Sequence, residues 1–467
     1  MHGRIPLLLQ VFMSLAITAD AVVSSDWVSG APRAEIAPTF TRNLTGGRSG
    51  GESLTITCDQ RQGLQGYWIK SEPVVGKTFV KFTTYYQARG VEVPRRSVLV
   101  RLLWAGADNT DVRPLINITR RDAPSVLPKS IELYGGSPDG GMPAMDELPV
   151  VGATGPDGWT EVSGIYRVPH DANRVAIELN LQFAPNSSVV WSDTTLTTVP
   201  EPKPRKARIA AVNFEPNGGD NPMDNCRMAE PFVAEAARQG ADLVTFSEHY
   251  TTQGLGQPDA HVTSAEAIPG GPICAFFGAL ARKHSIYIVV GMYERDGIRV
   301  YNDAVMFGPD GNVAGKYRKN APTSGEMAKG IMPGDDLPVF TTRFGKVGLL
   351  VCYDLQFPEL ARELGKRGAE MIIAPSYGFP TLLGKSEAME NQIFLVTSIY
   401  VDDGKSDPLS RWGITGIIDP EGNVVARAPN HHSIAIADID LTPRHWVWLG
   451  NLRDRLYNHR PVINGTK

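Results

Sequence analysis

Three strand exits in this sequence hold side chains whose types could, if brought together, do nucleophilic chemistry. Cys352 closes the apolar run VGLLVCYD, Glu248 closes LVTFSEHY, and Lys319 stands in the polar segment GKYRKNAP after the VYNDAVMF strand. A thiolate is a strong nucleophile toward a carbonyl carbon. A free thiol, however, has a pKa of about 8.5 and is mostly protonated at neutral pH. A carboxylate within hydrogen-bond reach accepts its proton, and a nearby ammonium favours the thiolate. A lysine and a backbone N–H would then meet the charge that develops on oxygen after attack. Taken singly, each residue has a plainer reading: an inert core thiol, a helix-capping acid, a solvated surface base.

The elements around Cys352 suit such a task. Its strand gives way through a Pro-containing step to the helical pattern ELARELGKRG, with the next helix expected near Pro358. A strand-to-helix elbow holds the thiol rigidly. It also turns the following amide, that of Tyr353, toward a carbonyl oxygen near a helix N-terminus. Loops that leave strands are where α/β domains carry chemistry.

The second half of the chain has that α/β rhythm. RIAAVNF (208–214) predicts a buried strand, 221–240 a helix closing on Gly240, 241–248 a strand, 271–285 a helix and 286–294 a strand, with the alternation continuing through 369–377 and 386–398. The first half keeps a period of two. Val175 to Phe183 alternates as a half-buried strand does, and similar runs cover 77–86, 97–105, 159–169 and 187–199, with Gly, Pro, Asp and Asn between them. This predicts an antiparallel β-sandwich of jelly-roll type over 27–198. Between the halves, VPEPKPRKA (199–207) reads as an exposed, Pro-rich linker.

At 467 residues the chain exceeds the ~100–200 residues expected of one domain. Its net charge of −4 is spread along the chain, and no basic block points to nucleic acid. Arg4, an apolar segment from Ile5 to Ile17 and the A-x-A step Ala19-Asp20-Ala21 predict a signal peptide (1–21) and a secreted or periplasmic protein. No later stretch reaches the ~18 apolar residues of a membrane span, so no membrane partner is expected. Four cysteines in so long a chain are no disulfide framework. Cys226 and Cys274 either pair or, as the stronger reading, are small buried apolar residues. Sequons stand at Asn43, Asn117, Asn186 and Asn464.

The blocks TFSEHY, GKYRKN and VCYDLQFPE, in this order, closely resemble the nitrilase superfamily of carbon–nitrogen hydrolases. RIAAVNF, YNDAVMFGPDGNVAGKYRK and AMENQIFLVTS fit as well, so that the resemblance covers roughly 208–451, ahead of a tail at 452–467. It implies an α/β fold, a four-layer αββα sandwich, and a Glu–Lys–Cys triad in which Cys352 is the nucleophile, Glu248 the general base and Lys319 the oxyanion partner. It further implies a homodimer or higher homo-oligomer that stacks two sandwiches, and a reaction needing no metal or organic cofactor. Glu326 in TSGEMAKG falls where the family often carries a second glutamate, which would orient substrate or Lys319. His249 and Tyr377, with Tyr353, are the residues expected to position substrate.

The sequence departs from the commonest family pattern at Gln356 and Glu387, where arginine often stands. Nitrilases proper usually carry Trp-Glu after the nucleophile, whereas this chain has Tyr353-Asp354, as the amidase and carbamoylase branches do. The expected substrate is therefore a small amide or N-carbamoyl compound. A nitrile hydrolase of the same fold and an inactive glycan-binding scaffold are the alternatives. The β-sandwich resembles carbohydrate-binding modules loosely, through its strand pattern and VVWSDTTL. Its tryptophans at 27, 68, 104, 159 and 191 would contact glycan if exposed and pack in the core if not.

Overall fold

The computed structural model describes residues 26–106, 146–399 and 413–442. The expected signal peptide, the sequons at Asn117 and Asn464, and the tail lie outside the described residues. The chain divides into two units between Glu201 and Pro202.

Among the described residues the first unit is built on two β-sheets, with short helical turns at Ala34–Ile36 and Pro94–Ser97. One sheet has the order β1 (Val28–Gly30), β4 (Gln65–Pro73), β9 (Arg174–Gln182), β6 (Val98–Ala105). The other has the order β2 (Thr39–Asn43), β3 (Ser53–Cys58), β10 (Ser187–Val199), β5 (Phe79–Arg89), β8 (Thr160–Arg167), β7 (Val150–Thr154). All pairings are antiparallel. The core between the sheets takes Phe82, Val189 and Trp191 from the second sheet and Leu102, Leu179 and Leu181 from the first. The alternating pattern of β9 predicted a half-buried strand, yet both of its faces are closed. Ala176, Glu178 and Asn180 are buried as fully as Val175 and Ile177, and Glu178 is held by Arg101 at 3.0 Å. Trp68, Trp104, Trp159 and Trp191 are buried, and Trp27 packs half-buried against the core beside the Lys70 ammonium. The four buried rings serve packing and offer no open face on which a sugar could stack.

The second unit holds two six-stranded sheets. The first has the order β15 (Val313–Arg318), β14 (Arg299–Phe307), β13 (Tyr287–Asp296), β12 (Leu243–Thr245), β11 (Lys206–Asn213), β22 (Ser433–Asp440). The second has the order β16 (Val339–Thr341), β17 (Lys346–Leu349), β18 (Met371–Pro375), β19 (Phe394–Ser398), β20 (Gly416–Ile418), β21 (Val424–Arg427). Strands β11, β12 and β13 run parallel, as do β17, β18 and β19.

Side-chain alternation along β11 sets the layers. Ile209 and Ala211 enter the core between the sheets, with Leu349 and Ile373. Ala210 and Val212 face outward to Val233 and Phe277 of the helices Glu230–Arg238 and Pro272–His284. The helices Pro358–Lys366 and Thr381–Asn391 join the second sheet through Ala361, Leu364 and Ala388. The result is an α/β sandwich of four layers. Among the described residues no helix is long and apolar enough to cross a membrane.

Two local expectations are corrected. The single helix predicted over 221–240 is two, Pro222–Met228 and Glu230–Arg238. Pro231 cannot donate to a carbonyl of the preceding turn, and its ring clashes there, so a new helix begins. The segment GKYRK, read as polar, contains an edge strand, β15, in which Lys316 and Arg318 bind Glu294 on one face while Tyr317 enters the core on the other. Cys226 and Cys274 are free thiols in the helix-side core.

Candidate active site

Glu248, Lys319 and Cys352 leave three different strands and meet. Strand β12 ends at Thr245, and the chain then lies so close to β13 that a Cβ on Gly291 would stand 2.6 Å from the Ser247 carbonyl oxygen and 2.7 Å from Glu248 Cα. Only glycine lets these backbones approach. Beyond the strand, Asn225 ties the loop down: its buried side-chain amide donates to the carbonyls of Thr251 at 3.2 Å and Gln253 at 2.7 Å. Lys319 directly follows β15, and its N–H donates to the Asn302 carbonyl at 2.9 Å.

Cys352 occupies the turn after β17 with φ +47°. That left-handed conformation costs a non-glycine residue about 1–2 kcal/mol. The buried carboxylate of Asp354 holds the turn. It accepts from the Val351 N–H at 2.9 Å, the Tyr317 hydroxyl at 2.8 Å and the Ala321 N–H at 2.8 Å. Asp354 thus joins the elbow that carries the thiol to the segment on both sides of Lys319. Burial raises its pKa to about 6 against the pull of those three donors.

At the centre, Lys319 Nζ donates to Glu248 Oε1 and to Glu326 Oε2, each at 2.8 Å. Lys319 and Glu248 are all but closed to solvent, with side chains 1% and 2% exposed. Burial works against every charge here, but the mutual attraction prevails. Lys319 is held well above the usual lysine range, and Glu248 and Glu326 are held below the usual carboxylate range. Glu248 Oε2 accepts the Tyr377 N–H at 3.0 Å. Glu326 also closes a capping box with Thr323 at the start of the helix Ser324–Ala328.

The thiol of Cys352 interacts with both Glu248 and Lys319 and donates to the Gly378 carbonyl at 3.7 Å. Its pKa is pushed up, first by burial and then by the Glu248 carboxylate, which outweighs Lys319. This differs from the simplest expectation of a thiolate stabilised by a nearby ammonium. Two carboxylates already engage that ammonium, so the resting sulfur keeps its proton next to the Glu248 carboxylate.

Of the expected positioning residues, Glu326 and His249 lie in this cluster. His249 adopts φ +54°, stacks on Tyr293 at 4.8 Å, and places Nε2 3.6 Å from both Glu248 Oε1 and Glu326 Oε1. Tyr377 contributes its backbone N–H, while its ring is exposed. Tyr353 is also exposed, with its ring edge-on to Phe357. Gln356 is exposed, and Glu387 is buried on the helix Thr381–Asn391, accepting from Asn391 at 3.0 Å. Sequence reasoning passed over Asn302 and Gly291, and read Asp354 only as a branch marker. The signal for Asn302 was the polar pair Asn302-Asp303 within the largely apolar strand VYNDAVMF.

The ligand atoms of Glu248, His249 and Glu326 lie within 4.8 Å of one another, a spacing that could hold a metal ion. The Lys319 ammonium already sits 2.8 Å from both carboxylates and would repel a second cation. The donor set is therefore better suited to its own lysine than to a metal.

Residues 208–443 match the family described as Carbon-nitrogen hydrolase. Omega-amidase NIT2 of Homo sapiens is 33% identical over 234 residues, 47% of this chain and 83% of the relative. Omega-amidase NIT2 of Mus musculus is 34% identical over 238 residues, 47% of this chain and 83% of the relative. Among solved structures, Nit3 of Saccharomyces cerevisiae, a member of branch 10 of the nitrilase superfamily, aligns with 26% identity and a TM-score of 0.45, covering 50% of this chain and 90% of its own.

Proposed function

This chain belongs to the carbon–nitrogen hydrolase family, and from that premise we propose that it hydrolyses the carbon–nitrogen bond of a small amide or N-carbamoyl compound through a thioester on Cys352. The observation that carries the reading is the convergence of one thiol, one carboxylate and one ammonium, all buried, from three distant segments.

Each step follows from these positions. Glu248 takes the thiol proton as sulfur attacks the carbonyl carbon. The carbonyl electron pair moves to oxygen, where Lys319 and the Tyr353 N–H stabilise it. Removing one such donor typically costs about 10²–10³ in turnover. The tetrahedral intermediate collapses to a thioester as Glu248 returns the proton to the departing nitrogen. Water then attacks the thioester, again giving its proton to Glu248, and the thiol is regenerated. Glu326 holds Lys319 from the other side, and His249 and Tyr377 line the approach for substrate.

The amidase names of the curated relatives support an amide over a nitrile, as does Tyr353-Asp354 after the nucleophile. The test is ammonia release from short amides, N-carbamoyl amino acids and nitriles, with Cys352→Ala alongside. Release from amides or carbamoyl compounds by the wild type alone supports the reading. Undiminished release by the variant removes Cys352 from the mechanism.

Further proposals concern the whole chain. The leader 1–21 directs export with cleavage after Ala21, and N-terminal sequencing of the mature protein checks this. A second copy packs on the helix Thr381–Asn391, where Leu382 and Met389 are exposed, and light scattering gives the stoichiometry. The β-sandwich acts as a structural module, because its tryptophans are committed to packing. Retention of the protein on an insoluble polysaccharide would overturn that.

A further inference from the structure

Asn302 lies on β14 opposite Tyr293 of β13, and its side chain is fully buried among charged groups. Its Nδ2 donates to Glu248 Oε1 at 2.9 Å and to Glu326 Oε1 at 2.7 Å, and its carbonyl accepts the Lys319 N–H at 2.9 Å. A single residue thus touches both carboxylates through its side chain and the lysine through its backbone. The amide orientation is fixed by chemistry. Turned over, its oxygen would face two carboxylate oxygens, acceptor against acceptor.

We infer that Asn302 is a positioning residue that fixes which oxygen of Glu248 serves as the base. Oε1 is taken up by Lys319 Nζ and Asn302 Nδ2, which use its two lone pairs. Among the described residues Oε2 accepts the Tyr377 N–H, which leaves a lone pair for the thiol proton.

Asn302 also spans two like charges that a single ammonium would otherwise have to hold together. It does so without adding charge, so Lys319 keeps its affinity for the oxyanion. The groups facing this junction are Glu248, Glu326, Lys319, His249, Tyr293 and Cys352. Because Asn302 bonds the ionised carboxylates, its loss favours their protonated forms. The acid limb of any process that needs Glu248 as base then moves to higher pH.

The inference rests on the hydrolase reading, and the experiment separates the two. Iodoacetamide alkylation of Cys352, followed against pH by mass spectrometry, reports base assistance without any substrate. Amide hydrolysis is measured in parallel, per alkylatable Cys352, so that unfolded molecules are not counted. With Asn302→Ala the acid limb of alkylation should move up by about half a pH unit or more. At the same time kcat should fall roughly tenfold to a hundredfold, with KM within about threefold. Asn302→Ser, which keeps a small donor, should recover part of both. An unchanged alkylation limb in both variants overturns the role of Asn302, whatever the hydrolysis assay gives. A shifted limb in a protein that hydrolyses no amide upholds the role and defeats the substrate reading instead.

Discussion

The ammonium of Lys319 lies 2.8 Å from the carboxylate of Glu248, and neither side chain is open to solvent. Neither charge would be tolerated there alone. Replacing Lys319 by Met should cost about 3–5 kcal/mol of stability, because it strands two buried carboxylates. On the proposed role of Lys319 as oxyanion partner, it should also lower kcat by about 10²–10³. Lys319→Arg should not rescue turnover, since a planar fork cannot replace a compact ammonium between two carboxylates. Urea unfolding and steady-state rates measure the two effects separately.

Thiol reactivity should follow the site. Burial pushes Cys226 and Cys274 up to about 12, and the carboxylate beside Cys274, that of Glu266, is already held by the N–H groups of Ile273 and Cys274. Cys352 lies against Glu248 and is the thiol expected to react first with iodoacetamide in the native protein. Peptide mapping after brief labelling checks this. Equal labelling of all the cysteines would mean that Glu248 gives no assistance.

On acidification turnover should lose a first step as Asp354 gains a proton, above the lower limb that belongs to Glu248. Glu248 lies below the usual carboxylate range, so it stays ionised well below neutrality. Its share of native stability is present above the unfolded carboxylate pKa and is lost only as pH falls through the depressed folded value. Asp354 is displaced the other way, to about 6. As it gains a proton it releases one of the three donors that tie the Cys352 elbow to the Lys319 segment. We expect kcat to fall below about pH 6 while the fold persists, as read from rates and circular dichroism on the same samples. A rate that is flat to pH 5 would remove Asp354 from that role.

Glu387 should be a net cost at neutral pH. Burial, reinforced by Glu390, raises its carboxyl to about 7. In the unfolded chain it ionises near 4.3. Between these values the unfolded state sheds a proton that the native state retains, so stability declines as pH rises from about 4.3 to about 7 and then levels. Glu387→Gln should add on the order of 2 kcal/mol at pH 8 and little at pH 4. Thermal melting at the two pH values tests the sign.

Gly291→Ala places a methyl group where the Ser247 carbonyl and Glu248 Cα already lie under 3 Å away. The loop carrying the base must shift, and a displacement of about 1 Å can cost 10²-fold in rate. We expect a rate loss of that order with KM little changed. Unaltered kinetics would show that the loop yields without moving Glu248.

The chemical types of the site and the α/β rhythm behind it were legible in the sequence, because each is local. A thiol at the end of an apolar strand, and glutamate and lysine at other strand exits, can be read from neighbouring residues. The edge strand β15 was less legible, because charged Lys316 and Arg318 occupy one face and Tyr317 is its one large side chain fully buried in the core. The closed second face of β9 was hidden for a similar reason: alternation predicts one covered face, and what covers the other is a tertiary matter.

Residue types and spacing by themselves determined which groups were available for chemistry and which periodicity would present them. Only the tertiary structure decided that Lys319 is shared between two carboxylates, that Asn302 bridges those carboxylates, and that the Cys352 thiol rests protonated. The physical reason is that protonation and charge sharing depend on burial and on distances between residues far apart in the chain, and neither is encoded in any short stretch of it.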